Sequence, residues 1–568
     1  MDRWILGFVL TASVSAQAYA ATSPEAAIQE ELLRQQTRER VLRQQQEIIP
    51  DVRLDQPESP VDQGLLPRNE SPCFNIERIE LGGDAAEKFQ WVVAAAHRAA
   101  GGQNDVATGR CLGTGGIDRV MRRMQNAIVA RGYITARILA EPQDLRAGTL
   151  RLTLVPGRIR SIRFAEGTPA RATKWNALPA RPGDLLNLRD IEQGLENFKR
   201  IPTADADIKI TPGEQPGESD IVIHWQQAFP MRFTLSVDDS GSKATGKYLG
   251  SITAAADHLL TLNDLFYLSF NHDLGGGASG KKGSQAYTAH YSIPYGYWLL
   301  GVTTSDSAYH QSVAGINQTY LYSGESQNGE IRLSRLIYRD AVRKTTLSLR
   351  GWTRASRNYV EDIEIDNQRR RTSGWEAGLT HREFVGLAIF DANFAYRRGT
   401  GARHALAAPE DATGDGASRL QLMTADAQLS VPFKLGSQAL RYSLAGRAQW
   451  NRTPLVPQDR FGIGGRYTVR GFDGENILSA DRGWLIRNDL DVLLGKTGQA
   501  FYLGFDYGEV GGRAAQGLIG TRLAGAVLGL RGSYKGLSYD VFAGQPIKKP
   551  AGFVTADTTA GFNLNWSF

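Results

Sequence analysis

Long apolar stretches are missing from this chain. Past the N-terminus no run of about 18 apolar residues occurs, so there is no transmembrane helix. Cysteine is nearly absent: Cys73 and Cys111 are the only two in 568 residues. Two thiols with no histidine cluster beside them make a poor metal site. The eight histidines are scattered and no H-E-x-x-H zinc motif occurs. No metal or cofactor is expected. An excess of one charge is lacking too. The 65 basic and 59 acidic residues leave +6, which on so long a chain points to no nucleic-acid partner. Two stretches approach the phosphate-binding pattern G-x-x-x-x-G-K-[ST] and miss its hydroxyl: Tyr248 follows Gly241 to Lys247, and Lys282 follows Gly275 to Lys281. Without that hydroxyl the magnesium ligand is gone. Both stretches lie between strands, where no helix N-terminus receives a phosphate. No nucleotide is expected. Gly324 to Asn328 falls short of a nucleophile elbow. With no catalytic constellation, the sequence does not read as an enzyme.

What is present starts with an export signal over residues 1–20. Arg3 is a short positive region, Ile5 to Val14 is mostly apolar, and Ala18-Tyr19-Ala20 fits the cleavage pattern, so the mature chain is expected from Ala21. Export without a helical anchor leaves a soluble exported protein or an outer-membrane β-barrel. In an exported chain, an even pair of cysteines in one small region predicts a Cys73–Cys111 disulfide. Such a closed loop stabilises its domain by roughly 3–4 kcal/mol on the chain-entropy account.

Residues 21–46 read as one polar helix. Ser23 is placed to cap it and Pro24 to occupy its first position. After Leu33 the segment is mostly Gln, Arg and Glu, too polar to pack on a core. It is either a free tail or the occupant of a water-filled cavity. Residues 47–72, punctuated by Pro50, Pro57, Pro60 and Pro67, read as an extended, mobile linker. Residues 73–157 follow the order strand, helix (85–99), helix (117–131), strand, strand. Residues 158–228 repeat it: a strand at 159–164, a short helix at 173–178, a helix at 188–199, then strands at 208–211 and 220–225.

From 229 to 568 the helical signals stop. Phe233, Leu235 and Val237 alternate with polar neighbours, as do Phe266, Leu268 and Phe270. Segments of roughly ten residues, apolar outward and polar inward, are what a membrane barrel needs. The pattern predicts about sixteen antiparallel strands. Short connections, as at Pro294 to Gly296, alternate with long polar ones, as at 275–285 and 403–418. A barrel of this size leaves an aqueous lumen unless something plugs it, which gives the polar helix a place. Phe568 closes the last strand, a mark of bacterial outer-membrane barrels.

The most distinctive motif is Val469-Arg470-Gly471-Phe472, in a long loop at 457–480 between strong strand patterns at 439–452 and 483–494. Further on, alternation in Leu503 to Glu509 sends Phe505 and Tyr507 toward lipid and Asp506 into the lumen. Its same-face neighbours are Gly504 and Gly508. A carboxylate in a niche bare of side chains suits a folded-in guanidinium, and Arg470 is the candidate. Arg487, Asp489 and Asp491 alternate inward on the preceding strand and are expected to share the network.

On these residues the chain resembles the superfamily of outer-membrane translocases and insertases that join POTRA domains to a barrel. The tetrad at 469–472, Asp506-Tyr507-Gly508, two α/β units and a polar N-terminal helix resemble its two-partner secretion branch, the exporters of haemolysins, adhesins and contact-dependent inhibition toxins. Asp238-Asp239-Ser240-Gly241 with Thr245-Gly246 resembles a first-strand motif of that branch, although Asp239 stands where Asn is usual. The resemblance implies a 16-stranded barrel, inserted by the barrel-assembly machinery among outer-membrane lipids, with POTRA units in the periplasm. It implies that these units recognise a large secreted partner, that the partner crosses without nucleotide hydrolysis, and that the helix plugs the resting pore. The alternative within the superfamily is a barrel-assembly insertase.

Overall fold

The computed structural model describes residues 24–47, 50–55, 64–99 and 102–568. The export signal, the cleavage site, the Ser23 cap and linker residues 48–49 and 56–63 lie outside the described residues.

Sixteen antiparallel strands, from Met231–Asp238 to Thr559–Ser567, close into a barrel. The period-2 pattern sets the two faces of its wall. Along Gln499–Gly511, Leu503 is 62% and Phe505 48% exposed, while Asp506 is 0%. Along Trp298–Ala314, Trp298, Leu300 and Val302 face out, and Thr303, Ser305 and Ser307 are buried inside. The outer wall is therefore apolar and the lumen polar, the reverse of a soluble fold. Strands Trp298–Ala314 (17 residues) and Thr319–Arg339 (21 residues) exceed the roughly 9–11 a bilayer needs, so the wall rises past the membrane there. Last and first strands pair only from Asn563↔Asp238 to Ser567↔Thr234. Phe568 extends this seam by exchanging both backbone hydrogen bonds with Phe233 at 3.0 Å.

Two α/β units precede the barrel and share one sheet topology. In the first, Thr149–Val155 lies between Arg78–Gly83, parallel to it, and Arg137–Leu139, antiparallel. In the second, Glu218–Gln227 lies between Arg158–Phe164, parallel, and Ala204–Pro212, antiparallel. Helices α1 (Pro24–Gln46), α2 (Thr114–Ala130) and α3 (Leu188–Lys199) complete the helical inventory of the described residues beyond short 3-10 turns. The first unit buries Phe89, Val92, Met124, Ile128 and Leu152 around α2. Cys73 and Cys111 are disulfide-bonded with Cα atoms 5.2 Å apart, joining the small ribbon Phe74–Ile76 and Arg110–Leu112.

Three expectations need correction. Residues 85–99 form 3-10 segments, Ala86–Lys88 and Gln90–His97, instead of an α-helix. Phe89, at φ −114°, interrupts the run between them and is buried. Residues 173–178 are turns, because their polar groups are committed to the barrel: the Asn176 carbonyl accepts from Gly296 N (2.8 Å) and its amide donates to Pro294 O (3.1 Å). The described parts of the linker are pinned, not free. Val52 N and Leu54 N donate to Glu196 and Glu192, each at 3.0 Å. Glu70 accepts from Gly113 N (2.7 Å) and Gly115 N (2.9 Å), an anion on the N-terminus of α2.

The polar face of α3 is buried against the barrel rim. Arg339 pairs with Glu192 (3.0 Å) and Glu196 (2.9 Å), and Asn197 donates to Gly296 O (2.7 Å). The second unit is thereby fixed at one mouth of the lumen.

Candidate functional site: a loop and a helix inside the barrel

The loop 457–480 leaves the strand Gln438–Asn451, folds into the lumen and returns to Arg482–Leu493. A short hairpin, Phe461–Ile463 with Leu478–Ala480, gives it a fixed base. Apolar side chains build a local core there: Val469 is 0% and Phe472 3% exposed, packed among Ile463, Leu523 and Phe553. The Phe472 and Phe553 rings meet edge to face at 5.8 Å. Burial of these two side chains is worth about 1.5–3 kcal/mol each.

At the tip, Arg470 and Asp506 form a two-pronged pair, with Nε donating to Oδ2 (2.7 Å) and Nη2 to Oδ1 (2.8 Å). The Arg470 backbone N donates to the same carboxylate at 2.9 Å. Asp489 accepts a further bond from Nη2 (2.5 Å), and Arg487 lies 3.8 Å from Asp506. Asp491 joins the network through Arg531, which contacts both Asp489 (3.3 Å) and Asp491, and Asp491 also pairs with Arg441 (2.8 Å). The Arg470 and Asp506 side chains are 5% and 1% exposed. The pair is sheltered, so the full cost of unpairing a buried charge applies to it.

Glycines make room for this contact. A Cβ on Gly504 would lie 2.7 Å from Arg470 Nη2, and one on Gly508 2.9 Å from Val469. Gly471 has φ +92°, and a Cβ there would meet Gln545 O at 2.4 Å. The sequence reading missed Gly525, whose Cβ would lie 1.9 Å from Arg470 O, and Gly544, which faces Gly471. A signal for them existed: both are bare positions on the strands that follow Asp506. The reading also missed Arg466, which donates to Asp239 Oδ1 (2.8 Å) and to Phe562 O (3.0 Å). Asp239 accepts from Phe562 N as well (2.9 Å). One loop residue thus bridges the first and last strands, and the Asp at 239 supplies the charge that holds it.

Helix α1 lies beside this loop inside the barrel. Arg34 donates to the loop carbonyl of Gly474. Glu31 accepts from Arg38 (2.6 Å) and from Thr245 (3.0 Å). Glu39 accepts from Ser305 (2.5 Å), Arg43 pairs with Glu330 (2.5 Å), and Glu47 with His290 (2.8 Å). Ser305, Glu330 and His290 belong to strands of the lumen wall and Thr245 to the turn after the first strand, so the polar helix meets a polar cavity.

A family profile described as haemolysin secretion/activation protein ShlB/FhaC/HecB matches residues 217–532. The chain belongs to this family. Its profile partners are a ShlB-type POTRA domain at 74–157 and a second POTRA domain at 158–212. Outer membrane transporter CdiB-2 of Burkholderia pseudomallei (strain 1026b) is 40% identical over 530 residues, 91% of this chain and 90% of that protein. Hemolysin transporter protein ShlB of Serratia marcescens is 28% identical over 404 residues, 71% of each chain. The solved structure of CdiB from Acinetobacter baumannii superposes with a TM-score of 0.85 at 32% identity, spanning 96% of this chain and all of that one. The protein is an outer-membrane barrel of the ShlB/FhaC/HecB family with periplasmic POTRA domains, which places the second unit and α3 at the periplasmic mouth.

Proposed function

We propose that this chain is the transporter half of a two-partner secretion pair, carrying a large exoprotein from periplasm to cell surface. The assignment to outer-membrane transport follows from the family. The observation that carries the finer reading is the helix in the lumen. A polar segment held by exchangeable hydrogen bonds fills the space a polar chain in transit would need. On this reading residues 21–46 are the plug and 47–72 its tether, 73–157 and 158–228 are the receiving units, and 229–568 is the conduit. The partner adds as a strand to an open sheet edge of a receiving unit; Ala204–Pro212, paired on one side only, is such an edge. Folding outside then draws the chain through, with no nucleotide. Arg470 and Asp506 hold the loop so that the lumen keeps one shape. The barrel-assembly machinery inserts the protein among the lipids.

The test is deletion of the gene and complementation, with partner protein counted at the cell surface and unrelated outer-membrane barrels counted in the same cells. Loss of the partner alone supports the reading. Depletion of the other barrels would identify an insertase instead.

A further inference from the structure

A second feature lies outside the lumen, where the second POTRA unit meets the barrel wall. A cleft of about 540 Å³ opens there, between the turn 171–182 and the periplasmic hairpin Tyr295 to Trp298. Its walls are aromatic. The Trp175 and Tyr295 rings are 5.9 Å apart, and Trp175 is 62% exposed. Its cations are Lys174, Arg181 and Arg335, and no Asp or Glu lines it.

The barrel register fixes where this cleft lies. Trp298 and Arg335 are direct cross-strand partners, with the guanidinium 4.9 Å from the indole centroid. The next positions on the same outward face are Leu300 and Leu333, both exposed to lipid. The Trp298/Arg335 pair therefore marks the lower edge of the apolar band, the level of lipid headgroups, where Trp is favoured and Arg tolerated. Among the described residues neither the Arg181 nor the Arg335 guanidinium pairs with a carboxylate, although the Arg181 backbone N donates to Asp184 (2.8 Å). Lys174 donates to Ile162 O and keeps two N–H groups for another acceptor.

We infer that this cleft seats the headgroup of an anionic phospholipid from the periplasmic leaflet. Arg181, Arg335 and Lys174 take the phosphate, Trp175 and Tyr295 flank the glycerol, and the acyl chains run up the wall over Leu300 and Leu333. Guanidinium groups suit a phosphodiester because they offer planar paired donors. Free phosphate lacks the apolar part that the aromatic wall and the leucines receive. The lipid would hold the second POTRA unit against the membrane as well as against the barrel. This inference rests on the outer-membrane location and not on the export reading.

The full-length protein in detergent, offered phosphatidylglycerol or phosphatidylcholine, should retain the anionic lipid preferentially in native mass spectrometry. Arg181→Ala with Arg335→Ala should cut that retention about tenfold, as expected when about 1.4 kcal/mol of binding is lost. Arg181→Ala alone alters only an exposed turn, leaves the barrel wall intact, and should lower retention measurably. Heat-modifiable gel mobility reports that each barrel is folded. Equal retention of the two lipids, or of phosphatidylglycerol by wild type and by the folded single variant, overturns the site. Displacement of the bound lipid by soluble glycerol phosphate at matched concentration overturns the membrane assignment. Surface export is scored separately, so a failure here leaves the transport reading standing.

Discussion

The loop 457–480 and helix α1 lie side by side in one lumen, but different chemistry holds them. The loop inserts Val469 and Phe472 into a dry apolar cluster and ties its tip with a sheltered, two-pronged charge pair. The helix reaches the wall through single hydrogen bonds and ion pairs from Glu31, Glu39 and Arg43. Arg43 and Glu330 are 29% and 16% exposed, open to water, whereas Glu31 at 4% is as sheltered as the loop pair. A hydrogen bond to a charged group is worth about 1.5–3 kcal/mol net. At the loop tip, a detached Arg470 leaves Asp506 buried without its main partner. The difference sets a loop anchored by packing and a charge pair beside a helix held mainly by polar contacts inside the same cavity.

Four perturbations test that contrast. Arg470→Ala should leave the barrel assembled and reduce export by about tenfold or more, because unpairing a buried charge costs about 3–5 kcal/mol. Asp506→Ala should match it, and the double variant should be little worse than either. Additive losses in surface-partner yield would mean that the two residues act separately. Gly525→Val should give the next largest loss of export. Its side chain would collide with the Arg470 carbonyl, where even a Cβ would lie 1.9 Å away. Normal export from this variant would show that the loop does not depend on close backbone approach.

Deleting residues 24–46 should raise single-channel conductance in planar bilayers while the thermal midpoint of the barrel stays put. A large drop in that midpoint would make the helix a structural member like the loop. The smallest effect is expected outside the lumen. In the second POTRA unit, Arg160 Nε (2.9 Å) and the Ser161 hydroxyl (2.8 Å) hold Asp220. These bonds lower its carboxyl from 3.8 to about 2. A depressed acid contributes stability above its unfolded value and loses it as pH falls through its folded value. Amide protection over Glu218–Gln227, taken relative to the unprotected exchange rate at each pH, should therefore fall between pH 3.8 and about 2. Asp220→Asn should remove that pH dependence without touching conductance. An unchanged profile in the variant would assign the effect to another group.

The readable parts of this molecule are those that a local period decides. Strand alternation places Asp506 inside and Phe505 outside, and the bare positions Gly504 and Gly508 mark where something approaches. The run after Pro24 gives a helix too polar for any core. Period 2 is silent on register between strands, however, so Gly525 and Gly544 could not be set opposite Arg470 and Gly471. The Arg466–Asp239 contact joins positions far apart in sequence and exists only once the barrel closes. Residues 173–178 look helical in isolation, and their polar groups are claimed by the hairpin at Gly296. The pinned linker escaped for a related reason: proline-rich sequence reports a lack of intrinsic order, and the order here comes from Glu192 and Glu196.

The join between the second POTRA unit and the barrel has a mechanical consequence. Only Ala228, Phe229 and Pro230 separate the strand Glu218–Gln227 from Met231–Asp238. These few residues are themselves bonded, Ala228 N to Thr203 O and Pro230 O to Asp257 N, each at 2.9 Å. With Arg339 and Asn197 closing the other side, no slack remains at this joint. A force on the second POTRA unit would therefore reach the barrel rim with little loss, so the position of that unit and the shape of the mouth are one coupled quantity.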